Sequence, residues 1–183
     1  MRLFMALDLP PGVVGNLEEL LRRLKPTARI QWSRPENLHI TIKFIGELAD
    51  GRLEELKRSL AGVPRRGPID VQIRRVGFFP NPHAPRNFWC GIEAPGLEDL
   101  AGAADSAAAT VGVARETRPF SPHLTLARIK DRISLQPLRE AVAGLSSLEF
   151  GAFQARSFYL YQSTLKPGGS VYAKLAEFPL IPS

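Results

Sequence analysis

Apolar and polar positions alternate with a period of two over several short runs of this chain, and with a helical period over several others. Residues 3–9 read as a strand ended by Pro10-Pro11, and 15–24 (GNLEELLRRL) as a helix with Leu17, Leu20, Leu21 and Leu24 on one face. Residues 30–32 form a short candidate strand and 33–37 a turn. Across 38–45, Leu38, Ile40, Ile42 and Phe44 alternate as the core face of a strand. A helix is expected from a cap at Asp50 to about residue 60, then strands over 69–76 and 87–93 separated by a stiff proline-rich loop over 79–85. An Ala-rich helix follows over 97–111, a strand over 122–129 and a helix over 135–145. Two closing strands, 153–162 and 171–178, are joined through Lys166-Pro167-Gly168-Gly169. Strands and helices alternate but end in an antiparallel-looking hairpin, which favours a mixed α/β or α+β domain over a doubly wound parallel sheet.

The pattern also repeats. Leu38-His39-Ile40-Thr41-Ile42 returns as Pro122-His123-Leu124-Thr125-Leu126, and LFMALDLP near the start rhymes with YAKLAEFPL near the end. Both read as two halves that each supply one strand to a shared site. No glycine-rich nucleotide loop follows a strand, and Gly168-Gly169 lacks the spacing of a dinucleotide or P-loop fingerprint.

Composition narrows the class without choosing the function. With 183 residues, 44% of them apolar, the chain is the size of one domain, spanning 1–183, and can bury a core without disulfides or a structural metal. Cys90 is the single cysteine, and between Trp89 and Gly91 it reads as a small core residue. The apolar run of MRLFMALDLPPG is too short for a signal peptide, and no run approaches the roughly 20 apolar residues of a membrane span, so a cytoplasmic protein is expected. The balance of 24 Lys and Arg against 18 Asp and Glu, net +6, suits a phosphate-bearing partner but equally suits a merely basic surface.

The two repeated motifs carry the chemistry. Residues i and i+2 of a strand share a face, so His39 points with Thr41 and His123 with Thr125. Imidazole titrates near pH 6.5, so one ring can take a proton from water while another donates one to a leaving oxygen. Threonine hydroxyls suit the non-bridging oxygens of a phosphate held between the rings. A metal would need further ligands, and neither motif holds an acidic residue; Glu36 and Glu47 flank turns. His83 lacks a threonine partner and reads as an exposed loop residue.

Paired His-x-Thr-x motifs, His39-Ile40-Thr41-Ile42 and His123-Leu124-Thr125-Leu126, resemble the signature of the 2H phosphoesterase superfamily. With MRLFMALDLP, RPENLHITIKFIGE, RPFSPHLTLARIK and SFYLYQSTLKPGGSVYAKLAEFPL, the chain is similar over residues 2–180 to bacterial and archaeal RNA 2′,3′-cyclic phosphodiesterases, also called 2′-5′ RNA ligases. Apolar exchanges at Met5, Ile42 and Ile45 are the small departures.

The resemblance implies an α+β fold of two pseudo-symmetric lobes, each a mainly antiparallel sheet with helices outside, around a central groove. It implies a monomer that opens a terminal 2′,3′-cyclic phosphate of RNA, or of a cyclic nucleotide, to a 2′-phosphate with no metal and no cofactor. His39 would be the proton donor to the 3′ oxygen and His123 the base for water, with Thr41 and Thr125 on the phosphate. Arg128 completes His-x-Thr-x-x-Arg, although strict alternation turns it away from His123, so that either the strand ends or bulges there or Arg128 acts from the rim. Lys43, on the face of His39 by alternation, would add positive field. Phe120 is a candidate for stacking the terminal base, with Tyr161 and Tyr172 beside it, whereas Phe44 falls on the core face. Arg34, Arg86 and Arg118 are candidates for an RNA track. Two alternatives stay open: an ATP-independent ligase joining tRNA halves through the same site in reverse, and a non-catalytic nucleotide- or RNA-binding module.

Overall fold

The computed structural model describes residues 1–64 and 67–181. Two antiparallel sheets build it. The first contains β1 (Arg2–Leu7), β3 (Ile40–Glu47), β8 (Ser157–Lys166) and β9 (Gly169–Pro179), in the order β3-β1-β8-β9. The second contains β2 (Gln31–Trp32), β4 (Ile69–Phe79), β5 (Asn87–Glu93), β6 (His123–Arg128) and β7 (Glu149–Ala155), in the order β2-β6-β5-β4-β7. The helices are α1 (Pro11–Leu24), α2 (Leu53–Ala61), α3 (Leu97–Ala109) and α4 (Gln136–Ala143).

The pseudo-symmetry lies in how the elements cross over. Helix α1 leaves β1 of the first sheet and packs against β7 of the second, while α3 leaves β5 of the second sheet and packs against β3 of the first. Each motif strand has the strand before that exchanged helix as its sheet neighbour: β3 pairs with β1, and β6 with β5. One core results, in which Leu3, Met5 and Ile40 of one sheet join Phe88, Leu124 and Leu126 of the other. The architecture is therefore the α+β arrangement that the motifs implied. The rhyme between the chain's two ends does not mark counterparts, because β1 and β9 lie in the same sheet with β8 between them.

Local sequence explains the element ends. Helix α1 begins at Pro11, earlier than the leucine spacing suggests, because proline is preset for the first helical position, where its missing N–H is not needed. Val13 thereby joins Leu17, Leu20, Leu21 and Leu24 on the buried face. Small residues, Ala101, Ala104 and Ala108, form the buried stripe of α3 with Leu97 and Leu100, and let that helix approach β3 closely. The single strand expected over 153–162 is two strands, β7 and β8, in different sheets. Burial changes parity twice here, once within β7, where Phe150 is the extra residue in its pairing with β4, and again between Ala155 and Phe158, where the chain crosses at the exposed Arg156.

Cys90 is fully buried, and burial pushes its thiol pKa up to about 12, which suits a core residue rather than a nucleophile. His83 is exposed in the proline-rich loop, where the Asn81 side chain accepts the backbone N–H groups of His83 and Ala84. Among the described residues no helix is long and apolar enough to cross a membrane.

Candidate active site

The motif strands β3 and β6 are in contact between the two sheets. Each carries a bulge at the last residue of its motif. On β3, Thr41 pairs with Ala6 and Lys43 with Met5, leaving Ile42 as the extra residue. On β6, Thr125 pairs with Trp89 and Ala127 with Phe88, leaving Leu126 as the extra residue. A bulge shifts the alternation of everything beyond it. Ile42 and Lys43 are therefore both buried, as are Leu126 and Ala127, while Phe44 and Arg128 emerge on the face of the motif threonines.

Two expectations change and one is decided. Lys43 does not share the groove face with His39. Its ammonium is buried on the far side, 2.8 Å from Asp105 of α3 and 3.2 Å from the carbonyl of Ala114 that it donates to. Burial alone would raise the Asp105 pKa; the hydrogen bonds from Lys43 and the Glu116 amide outweigh it and hold the carboxyl below its ordinary value. Phe44, expected in the core, is 59% exposed. Arg128 takes the bulged alternative and faces the groove, near enough for its charge to act on His39.

The two histidines are held alike. The Nδ1–H of His39 donates to the carbonyl of Asn37 at 2.6 Å, and that of His123 to the carbonyl of Ser121 at 2.9 Å. A carbonyl can only accept, so in each neutral ring the proton sits on Nδ1 and the lone pair on Nε2. Nε2 of His39 accepts from the Thr41 hydroxyl at 3.0 Å. Burial lowers the His39 pKa; the Asn37 carbonyl and the charge of Asp8 oppose this, and the charges of Arg128 and His123 reinforce it.

Aromatic side chains fix the His39 ring. Phe4 lies against it with ring centres 4.8 Å apart, and Tyr172 meets it edge-on at 5.4 Å. Tyr161 stacks on Phe4 at 5.3 Å and its hydroxyl donates a hydrogen bond to Asp8, whose other oxygen accepts from Lys174 at 2.6 Å. Burial and this bond to Asp8 raise the Tyr161 pKa, keeping it a neutral donor. The β8–β9 hairpin is latched to the loop before the first motif: Arg34 donates to the Gly168 carbonyl at 2.6 Å and Asn37 to the Ser170 carbonyl at 2.9 Å. Asn37 thus anchors the hairpin with its side chain and His39 with its backbone. Sequence reading missed Asn37, Ser121, Phe4 and Asp8, although the position two before each histidine was a signal to inspect. Phe120 is half-buried against the core, Arg86 donates to the Lys130 carbonyl at 3.2 Å, and Arg118 is exposed. Among the described residues no group of three or more His, Cys, Asp or Glu side chains is placed to hold a metal ion.

Known proteins resemble this chain in sequence and in fold. The profile of the family described as LigT like Phosphoesterase matches residues 7–89 and 92–172. A protein of Methanocaldococcus jannaschii named RNA 2′,3′-cyclic phosphodiesterase is 31% identical over 97% of this chain and 100% of its own length. One of the same name from Archaeoglobus fulgidus is 34% identical over 97% of this chain and 99% of its own. Among solved structures, TT0787 of Thermus thermophilus superposes with a TM-score of 0.83 at 30% identity, covering 98% of each chain. Escherichia coli LigT complexed with 3′-AMP superposes at 0.79 and 27% identity, covering 98% of this chain and 97% of that one. Both histidine motifs fall inside the matched segments and both lobes are covered, so the chain belongs to the LigT-like phosphoesterase family.

Proposed function

We propose that this protein hydrolyses a terminal 2′,3′-cyclic phosphate of RNA to a 2′-phosphate by paired histidine acid–base catalysis. The observation that carries the reading is the matched tautomer of the two rings, each pinned through Nδ1 so that Nε2 is the working nitrogen. His123 takes a proton from water, the water oxygen attacks phosphorus, and the bond from phosphorus to the 3′ oxygen breaks. His39 gives that oxygen its proton. Thr41, Thr125 and Arg128 bind the phosphate oxygens as charge builds on them. Burial favours a neutral His39 in the free enzyme, and the phosphate anion favours the charged ring, so substrate binding brings the acid's proton with it. The names of the relatives support the substrate class.

On this reading residues 1–183 work as one bilobal unit, a cytoplasmic monomer whose two halves already complete the groove. Turnover of a 2′,3′-cyclic nucleotide by His39→Ala and His123→Ala, with folding checked by circular dichroism, tests it. Each variant is expected to lose turnover, and the wild type to keep its rate in EDTA. Near wild-type turnover in either variant, or a strict need for added divalent metal, would overturn it.

A further inference from the structure

Beside the groove lies a cavity of about 110 Å³, lined by Arg29, Ile30, Gln31, Arg128, Lys130, Asp131 and Ile133. Arg128 belongs to both spaces, so the cavity continues the groove past the end of β6. We propose that this cavity is the subsite for the phosphodiester on the 5′ side of the reacting nucleotide, and that it makes the enzyme favour RNA ends over free cyclic mononucleotides. The inference rests on the activity proposed above and adds to it a second phosphate.

The end of β6 places the cations. Gln31 of β2 pairs with Arg128 of β6, and Arg29 and Lys130 lie just beyond the ends of the two paired strands. All four line the cavity. Arg128 and Lys130 are both exposed on either side of the buried Ile129, and two residues of extended chain span about 7 Å, comparable to the step between successive phosphates of an RNA strand. An RNA whose terminal phosphate sits between the histidines beside Arg128 thus brings its next phosphate to Arg29 and Lys130. Arg86 holds this segment twice: its carbonyl accepts from the Ile129 N–H at 2.9 Å, and its side-chain Nη1 donates to the Lys130 carbonyl at 3.2 Å. Among the described residues Arg29, Arg128 and Lys130 make no ion pair, and the cavity sets three cations against the one carboxylate of Asp131. Cations at a fixed spacing are what a phosphodiester backbone binds. The Gln31 amide adds a donor suited to a phosphate or ribose oxygen.

The test compares adenosine 2′,3′-cyclic phosphate with a dinucleotide ending in a 2′,3′-cyclic phosphate, which adds one upstream phosphodiester. Wild type is expected to prefer the dinucleotide in kcat/KM. The Arg29→Ala/Lys130→Ala double variant, whose altered side chains are exposed, is expected to lose about tenfold on the dinucleotide, mainly through KM, with the mononucleotide held within about twofold. Retention of the wild-type preference by the variant, a parallel loss on both substrates, or a wild type that turns over the mononucleotide without preferring the dinucleotide would overturn the subsite alone. A wild type inactive on both would overturn the activity it rests on.

Discussion

Phe44 and Arg128 are counterparts. Each is the fifth residue after its motif histidine, and each is turned into the groove by a bulge at the motif's last residue. The pseudo-symmetric site is therefore asymmetric in chemistry, with an aromatic ring on one side and a guanidinium on the other. A nucleotide is asymmetric in the same way.

Phe44→Ala is expected to raise KM for a cyclic nucleotide about tenfold, the scale of one lost base–aromatic stack, with little change in melting temperature because the ring is 59% exposed. Steady-state kinetics and thermal denaturation check both halves. A core phenylalanine would behave oppositely, losing about 3 kcal/mol or more of stability. That result would return Phe44 to the core and remove it from the site.

Asp105→Ala is expected to cost about 3 kcal/mol, since it strands the buried Lys43 ammonium without its carboxylate, while kcat of the folded variant stays near wild type. Chemical denaturation and assay at a permissive temperature separate the two. The sign with pH follows from the lowered Asp105 pKa: the pair's stabilisation is present above the ordinary carboxyl range and is lost as pH falls through the lowered value. Loss of kcat with unchanged stability would instead make Lys43 part of the site.

The His39 ring, followed by NMR titration, is expected to titrate below the ordinary histidine value near 6.5, and to move up when a 2′-nucleotide is added. Between that lowered value and about 6.5 the unfolded chain binds a proton that the native chain refuses, so His39 makes stability rise with pH across this window. His39→Asn should flatten that rise. A free-state titration at or above the ordinary value would contradict the burial argument.

The fold class and the four motif residues were legible because each rests on a local pattern: period-two alternation for the strands, leucine spacing for the helices, and a repeated His-x-Thr for the site. The bulges were not legible. Nothing in ITIKF or LTLAR distinguishes a continuous strand from one with an extra residue, because the bulge is set by pairing with β1 and β5. One extra residue then exchanged the expected faces of Lys43 and Phe44 and brought Arg128 to the groove. The split of β7 from β8 was hidden in the same way, since both segments are strand-like and the parity change between Ala155 and Phe158 at the crossing looks like the one that the bulge at Phe150 makes within β7. Asp8, Tyr161 and Lys174 come together from opposite ends of the chain, a juxtaposition that β1, β8 and β9 create by sharing one sheet.

The placement of the acid at the leaving 3′ oxygen, with the base at water, is tested most directly by the product formed from an RNA that ends in a 2′,3′-cyclic phosphate, read by phosphorus NMR. Wild type is expected to give only the 2′-phosphate, and His39→Ala and His123→Ala none. A 3′-phosphate product would contradict the placement of acid and base around the ring, and an uncleaved substrate would contradict the activity itself.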